Sequence, residues 1–213
     1  MPDRGMSRTD ELRASPPLFE SRWLDAVTRV HWTVVPLIFV PAIAIFLYEA
    51  FANASLGTVV IGLVMGYVFW TLTEYWLHRV VFHFEPEHGI GARLHWMIHG
   101  VHHDHPNDPL RLVMPPSASI PLALLFALLF RALLPVGAAC AVSAGFFAGY
   151  LIYDMTHYYV HHATPRTRVA RKLRELHMRH HFQDDTAGFG VSAPWWDHVF
   201  GTAPKKRSEE RAG

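Results

Sequence analysis

The stretch TVVIGLVMGYVFWTLTEYWLHRVVFH, residues 58–83, joins a charge-free apolar run to a pair of histidines, and this combination decides the fold. The run 50–73 contains no charged side chain, and its length approaches the roughly 20 residues that a helix needs to cross a bilayer. Imidazole side chains titrate near neutral pH and bind metals. The fold therefore depends on how many such apolar runs the chain contains and on where they place the histidines.

Three further apolar stretches have similar lengths: 32–48, 112–134 and 136–153. Long buried core helices could imitate one such segment but hardly four. The sequence therefore predicts an all-α integral membrane fold with four transmembrane helices in two hairpins. Gly145 and Gly149 in the fourth stretch have the small-xxx-small spacing that lets a neighbouring helix pack closely. Arg131 interrupts the third stretch, so either it snorkels to the far interface or the last two stretches form a shallow re-entrant hairpin.

The basic residues predict the orientation of the hairpins. The link 49–57 contains no Lys or Arg, and the turn 134–137 has only Arg131 near it. The other eighteen Lys and Arg residues lie before the first stretch, within 78–111, or after Tyr153. By the positive-inside rule these three regions face the cytoplasm, so both histidine-rich segments reach the same side and can build one site.

Composition sets the outer bounds of function. A net charge of +1 gives no basic excess of the kind that nucleic-acid binding needs. The single cysteine, Cys140, excludes an intramolecular disulfide and a multi-cysteine zinc site. We expect a disordered polar tail at 1–17, an interfacial amphipathic helix at 18–31, one membrane domain at 32–204 and a polar tail at 205–213. The first thirty residues lack the apolar core of a signal peptide, so we do not expect a cleaved one.

Histidines at helical spacing fall into four clusters: HRVVFH (78–83), HGVHH (99–103), HYYVHH (157–162) and HMRHH (177–181). Residues three and four apart share a helix face, so each triplet can aim its rings at one point. His78 and His83 are five apart, about 140° around an α-helix, so we expect them to flank a helix end. Glu74 and Asp154 each precede a histidine by one turn, where a carboxylate can orient a ligand ring.

Ten clustered histidines predict two metal ions, because a one-metal site uses three or four ligands. Imidazole ligation suits Zn, Cu, Fe or Ni. The membrane location favours an enzyme that oxidises an acyl chain arriving from the bilayer, since a hydrolytic zinc site gains little from apolar spans. Two irons would supply the redox chemistry that side chains lack. Transporters place ionisable ligands inside their spans, whereas most of these histidines lie outside the apolar runs.

The histidine clusters resemble a known family. EYWLHRVVFHF, HGVHHDHPNDPLRLVMPP, YDMTHYYVHH and HMRHHFQDDTAGFGVS resemble the four histidine boxes of the fatty acid hydroxylase/sterol desaturase superfamily of membrane di-iron enzymes, and WWDHVFGT resembles its closing segment. The pattern HG.HH..P.D..RLV.PP is similar to the fatty acid (ceramide) 2-hydroxylase branch. The resemblance implies a cytoplasmic helical cap holding a histidine-rich dimetal site.

The resemblance also implies roles for individual residues. The metal ligands would be His78, His83, His99, His102, His103, His157, His161, His177, His180 and His181. Glu74, Asp154 and His162 would support these ligands, and the sequence identifies no further catalytic residue. Candidate walls of a substrate slot are Tyr75, Trp76, Phe82, Tyr158, Tyr159 and Trp195, although aromatic residues at a membrane interface more often form a belt. Asp104, Asp108 and Arg111 could contact a head group, or could simply form a turn.

The implied function is O2-dependent hydroxylation of a lipid acyl chain, most simply at C-2 of a fatty acid or ceramide, with two Fe ions as cofactors. Zinc could replace iron in a purified sample. The chain has no heme-ligand motif and no room for the cytochrome b5 domain fused to some members of this branch. A separate electron donor of ferredoxin or cytochrome type is therefore expected. The arginine-rich composition suits a bacterial inner membrane protein. The alternatives are a sterol or carotenoid hydroxylase or desaturase, and a non-redox metal-dependent membrane hydrolase.

Overall fold

The computed structural model describes residues 6–205, and within that range the chain is helical and contains no β-strand. In chain order the helices are Arg8–Arg13 (α1), Arg22–Ala26 (α2), Val34–Asn53 (α3), Leu56–Trp76 (α4), Gly89–His95 (α5), Val101–Asp104 (α6), Pro116–Leu133 (α7), Val136–His162 (α8), Arg168–Phe182 (α9) and Trp195–Val199 (α10). Leu77–Phe82 continues α4 as a π-helix, and Trp96–Gly100 is a second π-helical segment between α5 and α6.

Helices α3, α4, α7 and α8 are long and apolar enough to cross a membrane, which confirms the predicted fold of four spans in two hairpins. Three of them continue past the carboxylates that bounded the predicted runs, and α4 does so at Glu74. Helix α3 extends beyond Glu49, whose backbone carbonyl accepts a hydrogen bond from Asn53. Helix α8 extends beyond Asp154, which is buried because Tyr150 and the Met114 backbone donate hydrogen bonds to it.

Helix α8 lies at the centre of the bundle and packs against α3, α4 and α7. Its contact with α4 depends on small residues on both helices. A Cβ atom at Gly145 would lie 2.1 Å from the Leu63 carbonyl oxygen, and one at Gly66 would lie 2.1 Å from the Val142 carbonyl oxygen. At Gly149 a Cβ would meet the Trp70 side chain at 2.7 Å. The predicted close approach at Gly145 and Gly149 is therefore present, and it fixes the distance between the two helices.

The remaining helices form a cap at one end of the bundle. The links α3–α4 and α7–α8 both lie at the opposite end, since each hairpin starts and finishes at the cap. Arg131 is exposed in the last turn of α7, beside the α7–α8 link. This position matches a side chain that snorkels to the interface far from the cap.

The N-terminal segment packs on the cap. A polar tail was expected at 1–17, and residues 1–5 of it lie outside the described residues. The rest contains the helix α1, and there the Leu12 carbonyl accepts a hydrogen bond from the Asn107 backbone. In the 18–31 segment the helix is five residues long, Arg22–Ala26. Asp25 at its end forms an ion pair of 2.7 Å with Arg111. The expected tail at 205–213 lies, after Lys205, outside the described residues.

Replacing Gly145 with alanine should destabilise the bundle, because the new Cβ would collide with the backbone of α4. Overpacking of this kind costs about 1–3 kcal/mol, which corresponds to a fall in Tm of roughly 2–10 °C for a chain of this size. Thermal unfolding of the detergent-purified protein measures this fall in Tm. Gly57→Ala is the matched control, since a Cβ there would come no closer than 4.0 Å to another side chain. Equal Tm values for the two variants would contradict the packing described.

Candidate metal centre

All ten histidines predicted as ligands gather into two clusters, in each of which the candidate ligand atoms lie within 4.8 Å of one another. Cluster A contains His78, His83, His99, His103 and His180. Cluster B contains His102, His157, His161, His177 and His181. The π-helix that continues α4 and the helix α8 supply histidines from one side, and α6, α9 and the second π-helical segment supply them from the other.

The rings meet through their Nε2 atoms. In cluster A, His99 Nε2 lies 3.2 Å from His78 Nε2 and 3.0 Å from His103 Nε2, and His83 Nε2 lies 3.1 Å from His180 Nε2. Cluster B repeats the pattern, with Nε2–Nε2 distances of 3.0 Å for His157–His102, 2.8 Å for His161–His177 and 3.1 Å for His181–His177. Every one of the ten rings therefore points the same nitrogen at a neighbouring ring.

The structure divides each histidine triplet of the second and fourth boxes between the two clusters, where the spacing predicted a single point for each. Adjacent residues such as His102 and His103 point about 100° apart on a helix, so they fall on opposite sides of the line between the clusters. His180 and His181 separate in the same way. Each of these two helical segments thereby ties cluster A to cluster B.

His78 and His83 flank a helix end, as expected, because the π-helix ends at Phe82 and His83 caps it. Its last turn closes a hydrogen bond of 3.2 Å from the His83 backbone N–H to the His78 carbonyl. A π-helix bonds residue i to i+5, so residues five apart return to one face. Both rings consequently reach cluster A. Extra turns of this kind are frequent at functional sites.

Backbone carbonyls set the orientation of two rings in cluster A. His78 Nδ1 donates to the Phe189 carbonyl at 2.7 Å, and His180 Nδ1 donates to the Ala187 carbonyl at 2.8 Å. In a neutral imidazole the other nitrogen then carries the lone pair. The loop after α9 thus presents the Nε2 lone pairs of these two rings to the cluster. The sequence analysis missed these carbonyls, because every residue has one and the side-chain pattern does not indicate which of them accept a hydrogen bond from a ring.

Carboxylates hold that loop in place. Asp197 accepts hydrogen bonds of 2.9 Å from the backbone N–H groups of Phe189 and Gly190, and one of 2.9 Å from the Thr202 hydroxyl. Glu74 accepts from the Ser192 backbone at 2.7 Å and from the Ser192 hydroxyl. Glu74 therefore acts on the loop that orients His78 and makes no direct hydrogen bond with a ring. Gly188 is needed in the same loop, since its φ of 81° belongs to the left-handed region.

The two other residues expected to support the ligands also contact no cluster ring by hydrogen bond within the described chain. Asp154 accepts from Tyr150 at 3.2 Å and from the Met114 backbone at 3.4 Å. His162 is exposed, and its ring lies 4.5 Å from that of Tyr158. Asp154 borders the histidines of cluster B, whereas His162 faces away from them.

Burial keeps the rings of the cap neutral. It lowers the pKa of His99, His102, His177 and His181 well below the ordinary value, and repulsion between neighbouring rings lowers it further. The same cause lowers the pKa of His83 to about 3. Neutral imidazole is the form that binds a metal, so at pH 7 these side chains are ready to act as ligands.

The clusters fit metal ions better than they fit mutual hydrogen bonds. Five Nε2 atoms converge in each, and at His78 and His180 the carbonyl partner leaves Nε2 without a proton to donate. Converging lone pairs repel each other unless a cation lies between them. Two nitrogen ligands about 2.1 Å from one ion and at right angles would lie about 3.0 Å apart, close to the distances in both clusters. Each cluster can therefore hold one ion of the imidazole-binding kind.

A cavity of about 400 Å³ ends on both clusters. His99 of cluster A lines it together with His102 and His157 of cluster B. Most of the remaining wall is apolar. It is formed by residues after the end of α4, by the second π-helical segment, by the non-helical residues 111–115 and by α7. Leu18 and Phe19 of the N-terminal segment complete the wall.

Only one of the six aromatic residues predicted for a substrate slot lines this cavity. Phe82 does so, and it stacks on the His99 ring at 5.2 Å between centroids. Tyr75 is buried against α10, with its hydroxyl 2.9 Å from Thr202. Trp76, Tyr159 and Trp195 are exposed and Tyr158 packs on Trp32, away from this cavity. Exposed aromatic residues near the ends of spans fit an interfacial belt.

The polar residues of the second box also have distinct positions. Asp104 accepts a hydrogen bond from the Trp96 indole at 2.9 Å. Asp108 accepts one from the Leu110 backbone at 2.9 Å, which is the turn role considered for it. Arg111 lines the cavity while it pairs with Asp25. Of the three, Arg111 alone reaches the cavity.

Comparison with known proteins adds the family. A family model described as fatty acid hydroxylase matches residues 63–202. The dihydroceramide fatty acyl 2-hydroxylase FAH1 of Arabidopsis thaliana is 38% identical over 200 residues, covering 93% of this chain and 84% of the relative. The ceramide very long chain fatty acid hydroxylase SCS7 of Saccharomyces cerevisiae is 39% identical over 193 residues, covering 89% of this chain and 50% of that protein.

A human relative and a solved structure agree with these matches. The fatty acid 2-hydroxylase of Homo sapiens is 34% identical over 212 residues, covering 89% of this chain and 57% of the relative. The structure described as full length scs7p, with only the hydroxylase domain visible, superposes with a TM-score of 0.84 at 37% identity. The match covers 92% of this chain and 77% of that one.

Replacing Asp197 with alanine should loosen the loop that orients His78. Two backbone donors and one hydroxyl lose their acceptor, and each that stays buried costs about 1–3 kcal/mol. We expect a lower Tm and faster proteolytic cleavage within residues 183–194. His198→Ala is the matched control, because its side chain is exposed on the same short helix. If both variants match the unmodified protein in Tm and cleavage rate, Asp197 does not fasten the loop.

Proposed function

Because this chain belongs to the fatty acid hydroxylase family, we propose that it hydroxylates a lipid acyl chain at C-2, the carbon next to the carbonyl, using O2 and two electrons. The relatives support the substrate class, since by name they act on fatty acyl chains of dihydroceramide or ceramide, or at position 2 of a fatty acid. One oxygen atom enters the product and the other leaves as water, with two protons and two electrons consumed.

The observation that carries this proposal is the shared end of the cavity. An apolar space of about 400 Å³ ends on His99 from cluster A and on His102 and His157 from cluster B. A lipid carbon placed there lies beside both clusters at once. Cavities with apolar walls and a few convergent polar groups are the usual form of a site for an apolar substrate.

The ten clustered histidines would hold two iron ions, which supply the redox chemistry that amino-acid side chains cannot perform. The protein's own task is to position one C–H bond of a flexible chain. A displacement of about 1 Å can cost on the order of 100-fold in rate. Phe82, stacked on His99, fixes one wall at the reacting end, and Leu112 and Val113, both buried, exclude water from another.

The remaining parts of the proposal concern location and electrons. Four membrane-capable helices make the chain an integral membrane protein. The cap carries most of the Lys and Arg residues, which supports a cytoplasmic site, and the arginine-rich composition suits a bacterial inner membrane. The exposed apolar residues Trp23, Leu24 and Val27 of the N-terminal segment suit the membrane interface. A separate ferredoxin or cytochrome would deliver the electrons.

The test is lipid mass spectrometry on cells that express the chain and supply ceramide and a reductant. We expect acyl chains heavier by one oxygen at C-2. The product should disappear without O2 and in the double variant His102→Ala, His180→Ala, which removes one ring from each cluster. His198→Ala is the control and should retain the product, because that histidine is exposed and outside both clusters.

Metal reconstitution separates the rival chemistries. After chelation, Fe(II) should restore hydroxylation while zinc, which accepts the same nitrogen ligands, should not. An oxygen or a double bond at another carbon would assign the chain to a different reaction of the family. Zinc-dependent, O2-independent cleavage of a lipid would contradict the proposal and favour a hydrolase.

A further inference from the structure

The cavity at the metal clusters borders a second space inside the transmembrane bundle. Leu77, Met114 and Leu122 line the cavity, and the same three residues line this second, narrower void of about 30 Å³. That void lies among α3, α4, α7 and α8, and we call it the crevice. The two spaces therefore share a wall, and they meet at these three side chains.

The crevice reaches well below the histidines. Its deepest lining residue on α8 is Phe146, eleven residues before His157. At a rise of 1.5 Å per residue this is about 16 Å along the helix axis, or roughly half of the 30 Å hydrocarbon core of a bilayer. A chain that occupied both spaces would run from the clusters toward the middle of the membrane.

The lining of the crevice suits a hydrocarbon tail. The polar groups on it are the hydroxyls of Ser119 and Tyr150 and the indole nitrogen of Trp70, and the other lining residues are apolar. Aromatic rings close the far end. Phe126 and Phe146 lie 4.5 Å apart between centroids, and Phe147 packs edge-on against Phe146 at 6.0 Å.

Part of the wall of the large cavity is polar, and this favours one direction for a bound lipid. Arg111 and Thr28 line the cavity there, and the side chain of Arg111 is only 3% exposed. Its Nε atom has no hydrogen-bond partner within the described chain. A buried donor without a partner favours a polar group of the substrate at this end. In the crevice the Trp70 Nε1 atom is also a buried donor without a partner within the described chain. The rest of that lining is mostly apolar, so the crevice is left for the apolar tail.

The wall at the junction can move to admit a tail. A void of about 30 Å³ has room for about one water molecule, so an entering chain must displace side chains. Met114 at the junction is flexible and adapts to irregular shapes. Helix α7 has just two buried residues, Ser119 and Phe130, so it can shift toward the lipid at low cost.

We propose that the crevice binds the acyl tail beyond the reacting carbon, and that Ala123 and Phe126 on α7 set the length of tail accepted. Ala123 lines the side of the crevice and Phe126 contributes to its closed end. The proposal rests on the proposed function, because it takes the substrate to be an acyl lipid with its reacting carbon at the clusters. It adds the residues that determine specificity.

The first arm of the test is competition. Iron-loaded purified protein, supplied with O2 and a reducing system, receives an equimolar mixture of N-palmitoyl, N-stearoyl and N-lignoceroyl dihydroceramide. The ratio of long-chain to short-chain 2-hydroxy products is then measured. One methylene more or less in an apolar pocket changes selectivity by about tenfold or more. Ala123→Leu and Ala123→Phe should therefore lower the ratio by about tenfold, and Phe126→Ala should raise it. Leu125→Phe is the control, since Leu125 is 60% exposed on the lipid side of α7 and should leave the ratio unchanged.

The second arm needs no turnover. A dihydroceramide with a diazirine at the end of its acyl chain is photolysed with the protein, and the labelled peptides are mapped. We expect label on α7 and α8 near Phe126 and Phe146. Labelling there without any hydroxylated product would refute the proposed function and leave the crevice as the tail site. Hydroxylation with unchanged product ratios in all variants, and label confined to lipid-exposed positions, would overturn the crevice proposal.

Discussion

Ten imidazole rings, seven of them buried and three half-buried, aim their Nε2 atoms at one another and constrain the rest of this structure. Neutral nitrogen lone pairs do not attract each other, so cations between the rings would stabilise the two clusters, and a rigid frame must hold the rings in place. The second and fourth histidine boxes each contribute to both clusters, which couples the two sites mechanically. The close approach of α4 and α8 at Gly145 then fixes where the membrane-side rings begin.

Much of this architecture could be predicted from the sequence. Four apolar runs, one of them interrupted by Arg131, predicted the four membrane helices, and histidines at helical spacing predicted all ten members of the two clusters. The division of the histidines between the clusters was not accessible, because it depends on the local pitch of the helix. A π-helical turn brings His78 and His83 to one face, whereas α-helical spacing separates them by about 140°.

Two supporting elements could not be read from side-chain patterns. The carbonyls of Ala187 and Phe189 orient cluster A, and any residue supplies a carbonyl; the indirect signals were Gly188 and the acidic Asp197 in the closing segment. The N-terminal segment looked like a tail and a surface helix, yet Leu18 and Phe19 complete the cavity wall. That placement depends on long-range pairs such as Asp25 with Arg111, which composition alone does not reveal.

The central claim is that the fold presents two separate five-histidine metal sites to one lipid cavity. Anomalous X-ray diffraction at the iron edge, on crystals of protein produced with iron, tests it most directly. The account predicts two peaks, one surrounded by the Nε2 atoms of cluster A and the other by those of cluster B. A single peak shared by all ten rings would contradict it. So would metal bound instead at the exposed carboxylates Glu85 and Asp185 beside His83, with no peak inside either cluster.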